Sequence, residues 1–540
     1  MKRPYLWITL AVVLVYGQIL FFKLTFLDDY TYIVENSIFL TYFRNIFRVF
    51  TTDFNAAVSG GFYYRPLLAA SLIFNASIAG QNPFLFHLTD LLLHLGVCLL
   101  LYRFLLNVSE NKSASLFGAL LFAAHPLLVQ TVAWIPARND SLVTLFILWH
   151  LIALHGRKHW QAVISMALAL ASKETAAVLP LISVLYTWLI VKEPGKYKNL
   201  IKFSPVWMLL LIAWYFGRML LVNPEASMGI GAMLKSIYLS SAAIVQYLGK
   251  MFLPVNLSNY PVMADLQLAY GFIALAIIAL GILLSKIKNN RAVLFGTAWF
   301  FIFLLPSLVR VNPVTYSEVL EHRAYLPMIG IIILVLQWSW FKSDWWDSKP
   351  RLAVSSSVLF IFAAVNVTHA FSFRNGLAYW SQAVQTSPSS SFAHKQLGAM
   401  KYFANDHAGA EAEYKTAIAL NQEETLVHGN LGLIYTDQGR YVEAEHLYLE
   451  EIAVNPNYDK VHFNLGYLYW LQKKPAEAEK LWLKTLQINP YHFQAYHKLA
   501  IHYYQTQKFS DGVAMLQALA AHGGSLDPNL LRDYRPYLPR

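Results

Sequence analysis

Apolar residues come in long, nearly unbroken runs as far as residue 372, and after that the chain switches to a sparse helical period. The runs lie at roughly 5–27, 86–106, 114–133, 140–155, 160–172, 175–191, 203–222, 267–285, 292–310, 324–341 and 352–371. A helix of about 20 apolar residues crosses the hydrocarbon core of a bilayer, so the pattern predicts about eleven spans. The runs 160–172 and 175–191 are short and meet at Ser172-Lys173-Glu174. Segments 66–80 and 236–253 are apolar but make poor spans; they are expected to lie at the interface or to re-enter. The first run is too long for the apolar core of a cleaved signal, and no small-residue cleavage site follows it. It is expected to stay as an anchor.

Beyond residue 390 a period of 34 residues takes over. His394, His428, His462 and Tyr496 recur at that spacing, with Leu397, Leu431, Leu465 and Leu499 in register and Gly398, Gly432 and Gly466 next to them. Tyr435, Tyr469 and Tyr503 follow, and Ala410, Ala444 and Ala478 fall in the second helix of each unit. This is the tetratricopeptide pattern. Asn455-Pro456 and Asn489-Pro490 end second helices, since proline cannot continue one. Small residues let paired helices approach, and Tyr414, Tyr448 and Trp482 fill the gaps. One period earlier lie Trp380, Ala383 and Pro388, which predicts a half-repeat over 375–388. The expected organisation is all-α: a polytopic membrane helix bundle over 1–372, an α-solenoid over 373–524, and a cap over 525–540 that holds Pro528, Pro536 and Pro539. Such a solenoid binds extended peptides in its groove, or serves as a scaffold.

Composition agrees with a membrane body, with 56% apolar and only 14% charged residues. The net charge of +11 needs no nucleic acid, because the basic residues sit mainly between apolar runs. A cytoplasmic N-terminus collects Arg103, Lys112, Arg157, Lys158, Lys192, Lys196, Lys198, Lys202, Lys286, Lys288, Arg291, Lys342, Lys349 and Arg351 inside, provided that 236–253 does not cross. The repeats then lie outside the cytoplasm. On that outer side fall Asp28, Asp29, Arg65, His125, Arg138, Asp140, Lys173, Glu174, Glu321, His322 and Arg323. Charges near membrane depth usually face a cavity, so these residues are expected to share one site. The single cysteine, Cys98, lies in an apolar run and has no internal partner.

Asp28-Asp29-Tyr30, Tyr64-Arg65-Pro66-Leu67, Asn82-Pro83 with His87 and His94, His125-Pro126, Arg138-Asn139-Asp140, Ser172-Lys173-Glu174 and Glu321-His322-Arg323-Ala324-Tyr325-Leu326-Pro327 occur in that order. In series they resemble the transmembrane-and-tetratricopeptide O-mannosyltransferases. The resemblance implies a C-type glycosyltransferase fold, a polyprenyl-phosphate sugar donor, with mannose the implied sugar, and a protein acceptor. The repeat array is shorter than in animal members, and Tyr537-Leu538-Pro539-Arg540 is no retention signal. A bacterial inner membrane with the repeats in the periplasm is therefore expected, or an endoplasmic-reticulum membrane with luminal repeats in a eukaryote.

Sugar transfer to a hydroxyl needs a base and a neutralised phosphate leaving group. Asp28 or Asp29 suits the first role. Arg138, Arg323 and Lys173 suit the second, with His125 and His322 as hydrogen-bond donors. A single base implies inversion at the anomeric carbon. No cofactor is called for, although the acidic pair leaves a divalent metal open. His87 and His94 are expected to pack within the bundle, because no third ligand follows at metal spacing. Two rival readings stay open: transfer to a lipid or cell-envelope glycan with the repeats docking partners, and a non-enzymatic membrane scaffold.

Overall fold

The computed structural model describes residues 3–52, 63–221, 229–284, 289–309, 318–341 and 348–538, and all the long elements in them are helices. Lys286, Lys288 and Lys342, which the expected orientation uses, lie outside the described residues, as do Pro539 and Arg540. The chain divides into two compact units, Met1–Pro388 and Ser389–Arg540.

Each of the eleven apolar runs is helical in the first unit. By length and apolarity, five described helices can cross a membrane: Pro4–Phe21, Pro83–Ser109, Leu200–Leu221, Asn290–Leu308 and Lys349–Phe373. Lys112–Ala124 and Pro126–Ala133, bent by 53°, make a sixth if taken as one broken span. The remaining runs give shorter or more polar helices, such as Glu174–Leu189, Ala269–Leu284 and Tyr325–Val335, so length alone does not yield eleven spans. Segment 236–253 divides at Ser240-Ser241 into Ile230–Leu239 and Ala242–Phe252. At 1.5 Å per residue neither half reaches across about 30 Å of hydrocarbon.

The bend at His125-Pro126 is built into the sequence. Proline has no N–H for the ladder, so the helix breaks there, with His125 N on Phe122 O at 3.4 Å. Asn366, from the last long helix, joins the bend: its Nδ2 donates to Ala124 O at 3.4 Å and to His125 O at 3.2 Å, the latter also accepting from Leu128 N at 3.1 Å, and reaches Tyr16 Oη at 2.8 Å. Helix starts elsewhere are set by asparagine caps. Asn82, Asn111 and Asn289 each accept from backbone N–H groups in the following turn. Gly296 and Gly330 let two helices meet backbone to backbone, since a Cβ at Gly330 would lie 2.4 Å from Gly296 O.

Gly376–Thr386, read from the periodicity as a half-repeat of the solenoid, lies within the first unit. Its partner is the loop 257–260: Asn259 N donates to Gln382 Oε1 at 2.9 Å, Tyr379 Oη to Asn259 O at 2.9 Å, and Thr386 Oγ1 to Ser258 Oγ at 2.6 Å. Trp380 is fully buried beside Tyr260. It stands at the aromatic position of the 34-residue period but packs within the first unit.

The second unit is four helical hairpins from Ser391–Phe403 to Phe509–Ala521, closed by Pro528–Tyr534. The periodic glycines seat aromatic rings, because a Cβ would lie 2.7 Å from Tyr414 at Gly398, 2.9 Å from Tyr448 at Gly432 and 2.8 Å from Trp482 at Gly466. The periodic tyrosines hydrogen-bond back to the preceding hairpin, Tyr435 to Glu411, Tyr469 to Glu445 and Tyr503 to Glu479. Buried Tyr534 of the closing helix donates to Ala500 O at 2.7 Å.

Candidate functional site

The first span ends in a tight loop whose two aspartates differ in circumstance. Asp29 is buried and accepts from Thr25 N at 2.5 Å, Thr25 Oγ1 at 2.9 Å, Leu27 N at 3.1 Å and Tyr30 N at 2.9 Å. Those bonds consume both carboxylate oxygens and hold the loop, in which Phe26 takes φ 59°. Asp28 is half-buried, and no hydrogen bond from the described residues reaches its carboxylate. Burial pushes its pKa up to about 7, with help from the charges of Glu318 and Asp29 and opposition from Arg65.

Two ion pairs, Arg65–Glu174 and Arg323–Glu318, each have a member whose charge Asp28 senses, and a third, Lys173–Asp140, adjoins Arg65. Arg65 grips Glu174 with Nε at 3.0 Å and Nη2 at 2.9 Å, and its guanidinium lies 4.1 Å from the Tyr63 ring. Lys173 Nζ holds both oxygens of Asp140 at 2.6 and 2.8 Å. Arg323 donates to Glu318 O at 3.2 Å and faces the Glu318 carboxylate at 3.9 Å. The groups lie close enough to act on one another: Asp140 senses Arg65 and Arg323, Tyr32 senses Asp28, Arg65 and Glu174, and His322 senses Lys173, Arg323 and Arg65. The fold therefore gathers Asp28, Asp29, Arg65, Asp140, Lys173, Glu174, His322 and Arg323 from five separate stretches of sequence.

The other three expected residues are engaged elsewhere. Arg138 is fully buried, its Nε on Asp90 at 2.5 Å, Nη1 on Ser71 and Asn75 at 3.1 and 2.7 Å, and Nη2 on Phe86 O at 2.8 Å. A fully buried guanidinium with four of its five N–H groups so occupied presents no fork to a phosphate, so the phosphate role expected of Arg138 is withdrawn. His125 is also sealed, its Nε2 on Met251 O at 3.0 Å and its Nδ1 accepting from Leu127 N at 3.2 Å, which corrects its expected role as a phosphate donor. Glu321 binds Lys250 Nζ at 2.6 Å and Ser258 N at 2.8 Å, with His369 at 3.9 Å. That carboxylate fastens the loop before Asn259.

Sequence reading missed Glu318, which faces Asp28, and the buried partners Asp90 and Lys250. The last two had a signal, a lone charge within an apolar run; Glu318 had none beyond its nearness to Glu321. His94 Nδ1 meets Tyr325 Oη at 2.7 Å, whereas both nitrogens of buried His87 lack a partner among the described residues. Among the described residues no three His, Cys, Asp or Glu side chains are grouped as metal ligands.

The tetratricopeptide repeat family matches residues 401–460 and 437–492. Human protein O-mannosyl-transferase TMTC1 is 37% identical over 105 residues, 18% of this chain and 12% of that protein. Protein O-mannosyl-transferase F38B6.6 of Caenorhabditis elegans is 24% identical over 383 residues, 66% of this chain and 54% of that one. Over these stretches the chain is similar to the TMTC protein O-mannosyl-transferases. Mouse TMTC2 is 37% identical over 89 residues, 16% of this chain and 11% of its own length. The matches thus span from about a tenth to about half the length of these relatives. Among solved structures, pilF of Pseudomonas aeruginosa is 25% identical with a TM-score of 0.28, covering 30% of this chain and 75% of that one. YrrB, a TPR protein with an unusual peptide-binding site, is 13% identical with a TM-score of 0.26, covering 29% and 82%.

Proposed function

We propose that this TMTC relative is an integral-membrane glycosyltransferase that moves a sugar, mannose by its kinship, from a polyprenyl phosphate to hydroxyls of protein acceptors outside the cytoplasm. The observation that carries the reading is the Asp28 carboxyl, which takes no hydrogen bond from the described residues, is raised to about 7, and lies near Arg65, which with Lys173 and Arg323 acts on His322. A base with a pKa near the working pH is well matched to taking a hydroxyl proton. The acceptor oxygen forms the new bond to the anomeric carbon as the bond from that carbon to the phosphate oxygen breaks. Asp28 receives the proton, and polyprenyl phosphate leaves with the electron pair. One base and one displacement invert the anomeric centre.

Arg65, Lys173 and Arg323 are the cations that neutralise the leaving phosphate, each held in place by its own carboxylate. Asp29 shapes the loop that presents Asp28. The solenoid recruits the acceptor protein; covalent tethering of this kind raises local acceptor concentration without altering the chemical step. The expected setting is a bacterial inner membrane with the repeats in the periplasm.

Purified protein supplied with polyprenyl-phosphate mannose and a protein acceptor tests the reading. Transfer should appear in the parent and fall about 10²–10⁴-fold in Asp28→Asn. Equal transfer in both would move the base elsewhere, with Glu174 and Glu318 next. Transfer to lipid or glycan but never to protein would replace the acceptor.

A further inference from the structure

His322 has two ring nitrogens, and the structure fixes what each can do. Its backbone N–H donates to Gln130 Oε1 at 2.9 Å, and its Nδ1 lies 3.2 Å from the same oxygen. Gln130 is fully buried, and its Nε2 donates to Asn259 O at 2.8 Å. That carbonyl also accepts from Tyr379 Oη at 2.9 Å.

This chain decides the orientation of an otherwise ambiguous amide. With the Gln130 amide turned over, its oxygen would face the carbonyl of Asn259 and its NH₂ would face the backbone N–H of His322. Both contacts would be repulsive. The oxygen therefore points at His322, and a carbonyl oxygen can only accept. Nδ1 must carry the proton.

The other nitrogen follows. Lys173, Arg323 and Arg65 stand close enough to oppose a second proton on the ring, and burial opposes it first. A neutral ring with a proton on Nδ1 leaves a lone pair on Nε2, and Nε2 has no hydrogen-bond partner among the described residues. Beside the ring, with centroids 5.5 Å apart, is Trp134, whose buried indole N–H also lacks a partner. One open acceptor and one unpaired donor side by side suit a hydroxyl, which both donates and accepts. They do not suit a phosphate, which only accepts.

We infer that Gln130 is a positioning residue that holds His322 with its proton on Nδ1, so that His322 Nε2 accepts a hydrogen bond from a hydroxyl of the sugar being transferred. The assignment rests on the glycosyl-transfer reading for the identity of the ligand, but not for the state of the ring. It changes the role expected of His322 from a donor toward phosphate to an acceptor from sugar. The phosphate falls to Arg65, Lys173 and Arg323, and the sugar hydroxyl to the neutral imidazole beside them.

Two measurements on the full-length protein in nanodiscs test it. With ¹⁵N-labelled histidine, and the His322 signals assigned by their loss in His322→Asn, Nδ1 should show a pyrrole-type and Nε2 a pyridine-type shift at neutral pH. Gln130→Leu should populate the opposite tautomer, while thermal unfolding and the remaining histidine signals report whether it folds. An imidazolium, or a proton on Nε2 in the parent, overturns the inference. In transfer from polyprenyl-phosphate mannose, His322→Asn keeps a donor for Gln130 and removes the distal acceptor, so kcat/KM should fall about tenfold or more. His322→Gln, which restores a polar atom near the Nε2 position, should recover part of it. Parental kcat/KM in His322→Asn overturns the hydroxyl contact. No transfer in the parent from this donor overturns the glycosyl-transfer reading and the contact with it, whereas the tautomer stands or falls on the spectra.

Discussion

Asp28 and Asp29 are adjacent in the chain, yet Asp29 accepts four hydrogen bonds from its own loop and Asp28 accepts none from the described residues. Their amide variants should therefore fail in different ways. In Asp28→Asn the protein should accumulate normally and lose turnover. In Asp29→Asn an NH₂ group must face the backbone donors of Thr25, Leu27 or Tyr30, which costs about 1–3 kcal/mol for the groups left unsatisfied. Its thermal midpoint should fall before its residual turnover per folded molecule does. Identical midpoints with lost turnover in both would mean that the pair acts jointly.

The pH profile follows from the raised pKa of Asp28, about 7 against an ordinary 3.8. A base must be deprotonated, so transfer should rise with pH and level off above about 7. The Glu318 charge helps to raise that value, so Glu318→Gln should move the rising limb to lower pH. Stability runs in the opposite sense. Because the folded state favours the protonated acid, Asp28 contributes stability that is complete below about pH 4 and is lost as pH rises through 7. Asp28→Asn should thus gain in thermal midpoint over the parent as pH rises from 4 to 8. A gap that does not change with pH would place Asp28 in water.

Arg138 answers to packing. Removing one partner from a buried ion pair is destabilising by about 3–5 kcal/mol, and Arg138 has four bonds to lose, to Asp90, Ser71, Asn75 and Phe86. Arg138→Lys should reduce folded protein in the membrane while leaving KM for the donor near parental in what survives. Arg323→Lys should do the reverse, keeping the fold and raising KM about tenfold, since charge-assisted bonds contribute about 1.5–3 kcal/mol. A raised donor KM in Arg138→Lys at normal abundance would return it to the site.

The two units set where the chain can be cut. Truncation after Pro388 keeps Tyr379, Gln382 and Thr386 on the loop 257–260 and should leave a folded body that transfers to a short peptide but poorly to whole proteins. Truncation after residue 372 strips the helix that covers Asn259, and through Asn259 disturbs Gln130 and His322. It should lose both. Equal activity of the two truncations on the peptide would make Gly376–Thr386 dispensable.

The fold was largely legible because its signals are long. Runs of apolar residues and a 34-residue period average over many positions, and each run did become a helix. Where the expectation slipped, at Trp380, a helix has the repeat's aromatic position but packs within the first unit, and periodicity carries no information about partners. The site was legible only as a list of charges. Sequence marks Arg65, Arg138 and Arg323 alike, and what separates them is whether two neighbouring helices offer an Asp90, an Asn75 and a Ser71 in the right places. Glu318 went unseen for the converse reason, since a lone acid in a loop is ordinary until the fold sets it against Asp28.

The carbonyls of Ala124 and His125 are met by a side chain 242 and 241 residues further along the chain. During synthesis the bend at Pro126 is made long before Asn366 leaves the ribosome; the His125 carbonyl already accepts from Leu128 N, but in the interval the Ala124 carbonyl lacks its Asn366 partner in an apolar setting. The membrane body cannot finish folding in the order in which it is made. Its early helices must wait, loosely associated, for one asparagine in the last of them, and damage near residue 366 would appear as a defect of assembly throughout the first unit.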